Sequence, residues 1–334
     1  MRDVAELAGV SVKTVSNVLN DYPYIRPATR ERVLHAVDEL EYRLNTSARN
    51  LRRGRTGLIS VALPELALPY FAELADEIID AAEDQRLRVL IERTGADPQR
   101  EREVLRDGLR VGDGLIFSPL GLTQEHEPEL PGDLPLVLLG ERIFTERFDH
   151  VTMQNVQAAR AATTFLLEKG RRRVAVLGVH PGEVGGSAGL RLRGYLAALA
   201  DAGLEPDADL QGEATFWHRD TGARAMAQVL DTGARPDAVL ALNDALALGA
   251  LHELQVRGIR VPDDVAVIGW DDIEEARYST PSLTTVDAGR RLIAQAAVER
   301  LVGRIADPDR PPERLEMPYR IVERGSTGAG GGAA

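Results

Sequence analysis

The stretch DVAELAGVSVKTVSNVLN, Asp3 to Asn20, decides how the rest of the chain is read. Two short helical patterns, Val4, Leu7 and Ala8 in the first and Val15, Val18 and Leu19 in the second, flank Gly9, Val10 and Ser11. That spacing predicts a helix-turn-helix. Gly9 can take the positive φ that stops the first helix, Val10 can pack between the two, and Ser11 can cap the second through its hydroxyl. The second helix then turns Val12, Lys13, Thr14, Ser16 and Asn17 outward, where such motifs meet base edges and phosphates of the major groove. A helical hairpin packed on a larger protein is the plainer reading of the same pattern.

Outward from the motif, Val33, Leu34, Val37 and Leu40 mark a third helix from about Ala28 to Glu41, with Pro27 suited to its first turn. Three helices in so few residues make a small DNA-binding head. Asn45 to Gly57 follows, with Arg49, Arg52, Arg53 and Arg55 and no acid. It reads either as a solvated basic linker or as a short helix that orders on DNA, with Leu51 as an apolar wedge for a minor-groove base step.

The charge is divided unevenly. The net charge is −12, yet residues 1–55 hold ten Lys/Arg against seven Asp/Glu. A basic head on an acidic body follows, and only the head should attract phosphate. With 334 residues the chain can build two or three domains. It has no cysteine, which excludes a disulfide framework, thiolate metal sites and a cysteine nucleophile. The N-terminus carries Asp3 and Glu6 where a signal peptide would be basic and then apolar, and no apolar run reaches membrane-spanning length. A cytoplasmic location is expected.

From Gly57 the texture becomes alternating α/β. Apolar runs at 58–63, 87–91, 114–117 and 135–139 alternate with helical stretches near 70–86 and 97–110, which predicts a parallel sheet covered on both faces. The alternation restarts after His150, with strands at 173–178, 238–242 and 265–269 and helices near 155–169, 189–203, 219–231 and 244–257. Two similar lobes are implied, with a ligand crevice at their facing strand ends. A helix from about Gly289 to Ile305 and an extended segment, Arg314 to Val322, complete the body. The Gly/Ala-rich end, 326–334, reads as a disordered tail.

The order of these pieces resembles the LacI/GalR family of bacterial transcriptional regulators from about residue 2 to 325. The resemblance rests on DVAELAGVSVKTVSNVLN together with TRERV (29–33), ARNL (48–51), PYFAEL (69–74), RLRGY (191–195), ALND (241–244), VIGWDD (267–272) and PSLTTV (281–286). It implies a small all-α helix-turn-helix head (1–44), a hinge helix (45–56) and a two-lobed α/β body of the periplasmic-binding-protein type (57–325). Three chain crossovers join the lobes, which comprise about 57–152 plus 285–311 and about 153–284 plus 312–325. The implied protein is a cytoplasmic homodimer and no enzyme, needing no cofactor or metal. It binds a near-palindromic DNA operator and answers to a small effector, such as a sugar or other polyol.

Carried over position by position, the resemblance makes Val12, Lys13 and Asn17 base-reading residues, with Ser11, Thr14, Asn20, Tyr24 and Thr29 mostly on phosphate. Leu51 becomes the minor-groove wedge with Arg52 beside it. Asn17 replaces the arginine more often found there, and asparagine pairs with adenine where arginine pairs with guanine. Most relatives have a few more residues, with a capping Thr or Ser, before the aspartate; here Asp3 caps the first helix, or the true start lies upstream. For the crevice the resemblance points to Phe71, Arg191, Trp217, Asn243 and Asp271. Their hydrogen-bonding groups and flat apolar faces suit a polyhydroxylated ligand. Each also has a plainer role: Asn243 and Asp271 as caps, Phe71 and Trp217 as packing, Arg191 as partner to an interlobe carboxylate. Two departures bear on ligand identity. Gly140 followed by Glu141 stands where some members have a ligand-binding acid, and Ser118 where others have asparagine.

Rival readings are weaker. GVHPGEVGGSAG (178–189) follows a strand but lacks GxGxxG spacing, and reads better as a flexible loop at the crevice mouth than as a dinucleotide site. The six histidines show no metal-ligand spacing, and no nucleophile elbow occurs. A solute-binding protein without regulatory DNA binding would use the same body, but it does not account for the basic head.

Overall fold

The structure is a computed structural model that describes residues 1–19, 22–40, 42 and 55–328. The chain divides into two compact units, Met1–Thr56 and Gly57–Ala334. Asn20, Leu51, Arg52 and nearly all of the expected hinge lie outside the described residues.

The head has three helices, α1 (Arg2–Leu7), α2 (Val12–Leu19) and α3 (Pro27–Glu39). The turn forms as its residues dictate. Gly9 has φ +62°, Val10 packs against the head core, and the Thr14 amide donates to Ser11 Oγ at 3.1 Å. Pro27 opens α3, where its missing N–H removes no hydrogen bond. The core comprises Val4, Ala5, Ala8, Val15, Val18, Val33 and Ala36. Leu7, Leu34 and Leu40, which fit the helical period, are instead 43–48% exposed. Small side chains fill the centre of so short a bundle, and the leucines at the margin of the stripe remain outside. Asp3 does not cap α1: it lies within the first turn, and Met1 holds the cap position without a side-chain bond.

The body contains two six-stranded sheets. In the first the order is β11-β5-β4-β3-β1-β2, all parallel, formed by β1 (Leu58–Leu63), β2 (Arg88–Arg93), β3 (Leu115–Phe117), β4 (Leu136–Leu139), β5 (Asp149–Met153) and β11 (Arg314–Met317). Helices α4 (Pro69–Asp84), α5 (Pro98–Val111) and α11 (Arg290–Ala306) accompany it. The inner strands β1, β3 and β4 are almost wholly apolar because both their faces are covered, whereas β2 and β11 at the edges carry charged residues. Ile59, Val61, Ile116, Val137 and Leu139 enter one core with Leu74, Ile78 and Leu301, while the alternate residues Ala62, Leu115, Phe117, Leu136 and Leu138 enter the other.

The second sheet has the order β12-β10-β9-β8-β6-β7, from β6 (Val174–Val179), β7 (Gln211–Glu213), β8 (Ala238–Ala241), β9 (Ala266–Trp270), β10 (Thr284–Asp287) and β12 (Arg320–Val322). Helices α6 (Asn155–Glu168), α7 (Gly186–Asp201), α8 (Arg219–Asp231), α9 (Asp244–Val256) and α10 (Glu274–Tyr278) belong to it. The sheet is parallel except at its edge, where β12 runs antiparallel to β10.

Three expected boundaries move. β10 pairs in register with β9, so the second crossover comes after Asp287 rather than at 284/285. β11 pairs with β5, so the segment 314–317 belongs to the first lobe and the third crossover follows it, not 311/312. The extended stretch 314–322 therefore serves both sheets. The tail is also shorter than expected, because Ser326 and Thr327 are buried, with Ser326 Oγ donating to the Val267 carbonyl at 2.6 Å and Thr327 Oγ1 2.8 Å from Thr284 Oγ1.

Tyr70 of α4 and Met153 at the end of β5 pack against the apolar cores of both lobes.

Candidate functional site

In the head, α2 buries Val15 and Val18 and presents its other side. Ser11, Val12 and Lys13 are exposed, and Thr14 and Asn17 are half-buried. Ser11 and Thr14 hydroxyls lie 2.8 Å apart, so both are partly engaged in capping α2. Beyond the helix, Tyr24 is 84% exposed with its ring edge-on to Tyr22 at 5.6 Å, and Thr29 is half-buried in the first turn of α3. Seven of the ten expected DNA-facing residues are thus described, and all seven keep some exposed surface.

In the body, a cavity of about 350 Å³ lies between the lobes. Phe71, Arg191, Trp217, Asn243 and Asp271 all line it, brought from α4, α7, the loop after β7, the end of β8 and the end of β9. Their bonding differs. Asn243 Oδ1 accepts from the Leu246 amide at 2.8 Å and caps α9, while its Nδ2 donates to the Trp217 carbonyl at 3.0 Å. Trp217 Nε1 donates to the Gly178 carbonyl at 3.0 Å, which fixes the indole plane. Phe71 is 8% exposed and contributes to the first lobe's core.

Arg191 is 4% exposed. Its Nε donates to Asn155 Oδ1 at 2.8 Å, Nη1 to the Leu242 carbonyl and Nη2 to Met153 Sδ at 3.6 Å. The guanidinium lies 4.0 Å from the Trp270 ring centroid and 5.4 Å from that of Trp217. Burial pushes its pKa down, and the Asp271 and Glu141 carboxylates oppose that shift.

Asp271 is the exception in this group. It is 6% exposed, and its carboxylate accepts no hydrogen bond from any described residue. Burial raises its pKa to about 7 against the pull of Arg191 and Arg290, with Glu73 and Glu141 adding to the rise. Its backbone has φ +117° and that of Asp272 +50°, conformations that side-chain-bearing residues adopt at a cost. The strained pair is tied down: Arg290 donates to the Asp271 carbonyl at 3.0 Å, and Arg324 to Asp272 Oδ1 at 2.5 Å.

Several cavity residues were not singled out as ligand contacts from sequence. Gly140 has φ +83°, where a side chain would be strained, and the acid enters instead from Glu141. Glu141 Oε1 accepts from Thr152 Oγ1 at 2.8 Å, and Oε2 accepts from Ser187 Oγ of the other lobe at 2.6 Å. His218 Nε2 lies 3.2 Å from Glu65 Oε1, and the Glu274 amide donates to Glu73 Oε1 at 2.9 Å, both across the lobes. The loop at 178–189 is pinned by Arg142 Nη1 and His180 Nδ1 on Glu183 Oε2, at 3.3 and 2.8 Å. Burial pushes the Glu183 carboxyl up, but His180 and Arg142 prevail and hold it below the usual range. None of these pairs is adjacent in sequence in a way that announces it; Glu141, one residue past the position the family uses, was the one visible signal. Ser118 also lines the cavity.

Among the described residues no helix is long and apolar enough to cross a membrane, and no group of three or more His, Asp or Glu is arranged to hold a metal ion.

Comparison with known proteins agrees with a helix-turn-helix head followed by a two-sheet α/β body. Residues 1–45 match the model for bacterial regulatory proteins of the lacI family, and residues 163–327 that for a periplasmic binding protein-like domain. The HTH-type transcriptional repressor PurR of Vibrio atlanticus is 34% identical over 97% of this chain and 97% of its own. Among solved structures, a LacI-family regulator from Sanguibacter keddieii is 52% identical, covering 82% of this chain and 100% of its own with a TM-score of 0.76. The lac repressor dimer bound to operator and the anti-inducer ONPF is 28% identical, covering 97% of this chain and 98% of its own with a TM-score of 0.82. The chain is a member of the LacI family, a DNA-binding transcriptional regulator built from a helix-turn-helix head and a periplasmic-binding-protein-like body.

Proposed function

We propose that the protein is a cytoplasmic repressor that binds a near-palindromic operator as a homodimer and is controlled by a small polyhydroxylated effector held between its lobes. The observation that carries the effector reading is Asp271: a buried carboxylate without a hydrogen-bond partner, on strained backbone, in the wall of a cavity. With its oxygens open to the cavity and only the charges of Arg191 and Arg290 to offset its burial, this group is placed to accept hydroxyl donors from a ligand. Phe71 and Trp217 supply flat apolar faces, and Arg191, already oriented by Asn155 and Leu242, keeps further N–H donors for the same ligand.

In the head, Val12, Lys13 and Asn17 read bases while Ser11, Thr14, Asn20, Tyr24 and Thr29 hold phosphate; Leu51 and Arg52 enter the minor groove between half-sites. Two-fold protein symmetry calls for two-fold operator symmetry. Effector and operator are then coupled reciprocally, each altering the affinity of the other by the same factor. The test is selection of bound sequences from random duplex DNA by the purified protein, followed by effector screening on the selected site. One enriched palindrome, released by a sugar in the wild type and not in Asp271→Ala, is the expected result. A folded protein that enriches no site with or without candidate sugars would remove the reading.

A further inference from the structure

Asp244 stands in the first turn of α9, next to the cap residue Asn243, and is wholly buried without lining the cavity. Both of its oxygens reach across to the segment that follows β9. Oδ1 accepts from Thr285 Oγ1 at 2.7 Å, and Oδ2 accepts from the Ile273 amide at 3.0 Å. Thr285 Oγ1 in turn accepts from the Asp272 amide at 3.3 Å. The amides of the two residues after Asp271 are therefore held by one carboxylate, the first through a hydroxyl and the second directly. Arg290 and Arg324 hold a carbonyl and a side chain of the same pair, and the Asp271 amide donates to the Val286 carbonyl at 2.8 Å.

The turn needs such restraint. Two consecutive side-chain-bearing residues at φ +117° and +50° persist only where the surroundings over-determine them. A buried carboxyl group is itself costly unless its oxygens are satisfied, and this one spends both on the strained turn. The strand gives way to it: at Gly269, two residues before Asp271, a Cβ would collide with Asp244 Oδ1.

We infer that Asp244, with Thr285 as its relay, is the positioning residue for Asp271, fixing the strained turn so that the Asp271 carboxylate faces the cavity. This rests on the reading of Asp271 as an effector contact. Without the relay, residues 271 and 272 return towards ordinary φ values and the carboxylate turns out of the cavity wall, although no group that touches a ligand has been removed. Neighbouring residues of the segment ALND thus divide the work, Asn243 in the cavity wall and Asp244 behind it.

The test uses the absence of cysteine from the chain. Asp271→Cys places a thiol at the turn, and Thr163→Cys places one in α6 of the same lobe, at a wholly buried position far along the chain from the turn. The rate of labelling by iodoacetamide is measured for each in full-length protein, alone and combined with Asp244→Ala, Thr285→Val or Thr285→Ser. Labelling at position 271 should rise about tenfold or more with Asp244→Ala and with Thr285→Val, the scale of losing one buried hydrogen bond, and stay near the parent rate with Thr285→Ser, which keeps the hydroxyl. Labelling at position 163 should not change. An unchanged rate at 271 in the alanine and valine variants overturns the assignment, and so does a parallel rise at 163, which would make Asp244 a support of the whole lobe. Serine labelled as fast as valine would overturn the relay. No ligand enters this measurement, so its failure and that of the effector screen are told apart.

Discussion

Ser187 Oγ donates to Glu141 Oε2 at 2.6 Å, so the first turn of α7 in one lobe is held by a carboxylate from the other. A hydrogen bond to a charged group contributes about 1.5–3 kcal/mol, less where the carboxylate keeps other donors. Glu141 keeps Thr152, so Ser187→Ala should lower stability by only about 1 kcal/mol, whereas Glu141→Ala, which leaves the buried Thr152 hydroxyl without its acceptor, should lower it by about 1–3 kcal/mol. Urea unfolding at neutral pH measures both. Two variants as stable as the wild type would show that the lobes do not meet at this point in solution.

The carboxyl of Asp271 gives the body a pH dependence. Its folded pKa of about 7 lies above the ordinary value of 3.8, so between those limits the folded protein holds a proton that the unfolded chain releases. Stability from this group therefore falls as pH rises from about 4 to about 7 and is level on either side, by up to about 1.4 kcal/mol per pH unit. Asp271→Asn removes that slope. The variant should exceed the wild type in stability at pH 8 by an amount on the order of a few kcal/mol, with the gap narrowing at pH 5. Equal differences at the two pH values would mean that the carboxylate is already compensated in the folded state.

Asn243 should divide by chemistry rather than by size. Its Oδ1 caps α9, so Asn243→Ala should cost about 1–2 kcal/mol in thermal or urea unfolding, while Asn243→Asp keeps the cap acceptor and most of the stability. An alanine variant of unchanged stability would show the cap to be dispensable and leave ligand contact as its role.

Two changes in the head test its turn and its reading face separately. Ser11→Ala removes the acceptor for the Thr14 amide and should cost about 1 kcal/mol, read as faster amide exchange in α2. Asn17→Arg should instead leave the fold alone and move base preference from adenine towards guanine at one symmetric pair of operator positions. Sequence selection that returns the same site for both proteins would take Asn17 out of the reading set.

What could be read from the sequence was whatever depends on neighbours along the chain. Gly9, Ser11 and Pro27 announce their own backbone geometry, and the strands at 58–63 and 136–139 carry apolar runs, broken only by Ser60, because both their faces are covered. β5 was not anticipated because Asp149, His150 and Thr152 break its apolar run. Those polar groups are buried through distant partners: Asp149 with Arg304, His150 with the Gly140 carbonyl, Thr152 with Glu141. The crossover positions escaped for a related reason, since β10 and β11 are short and only pairing assigns them to a lobe. Leu7, Leu34 and Leu40 show the opposite failure, because periodicity places a residue on a stripe without saying how wide the covered stripe is. In the cavity, the five residues named from family resemblance share one wall system, but which of them are already engaged by the protein was a question only the geometry could answer.

Tyr70 and Met153, packed against both cores, tie the separation of the lobes to solvent exposure of apolar surface. Were the lobes to part, these two side chains would meet water, so separation would carry a positive heat-capacity change and cost less as the solution is cooled.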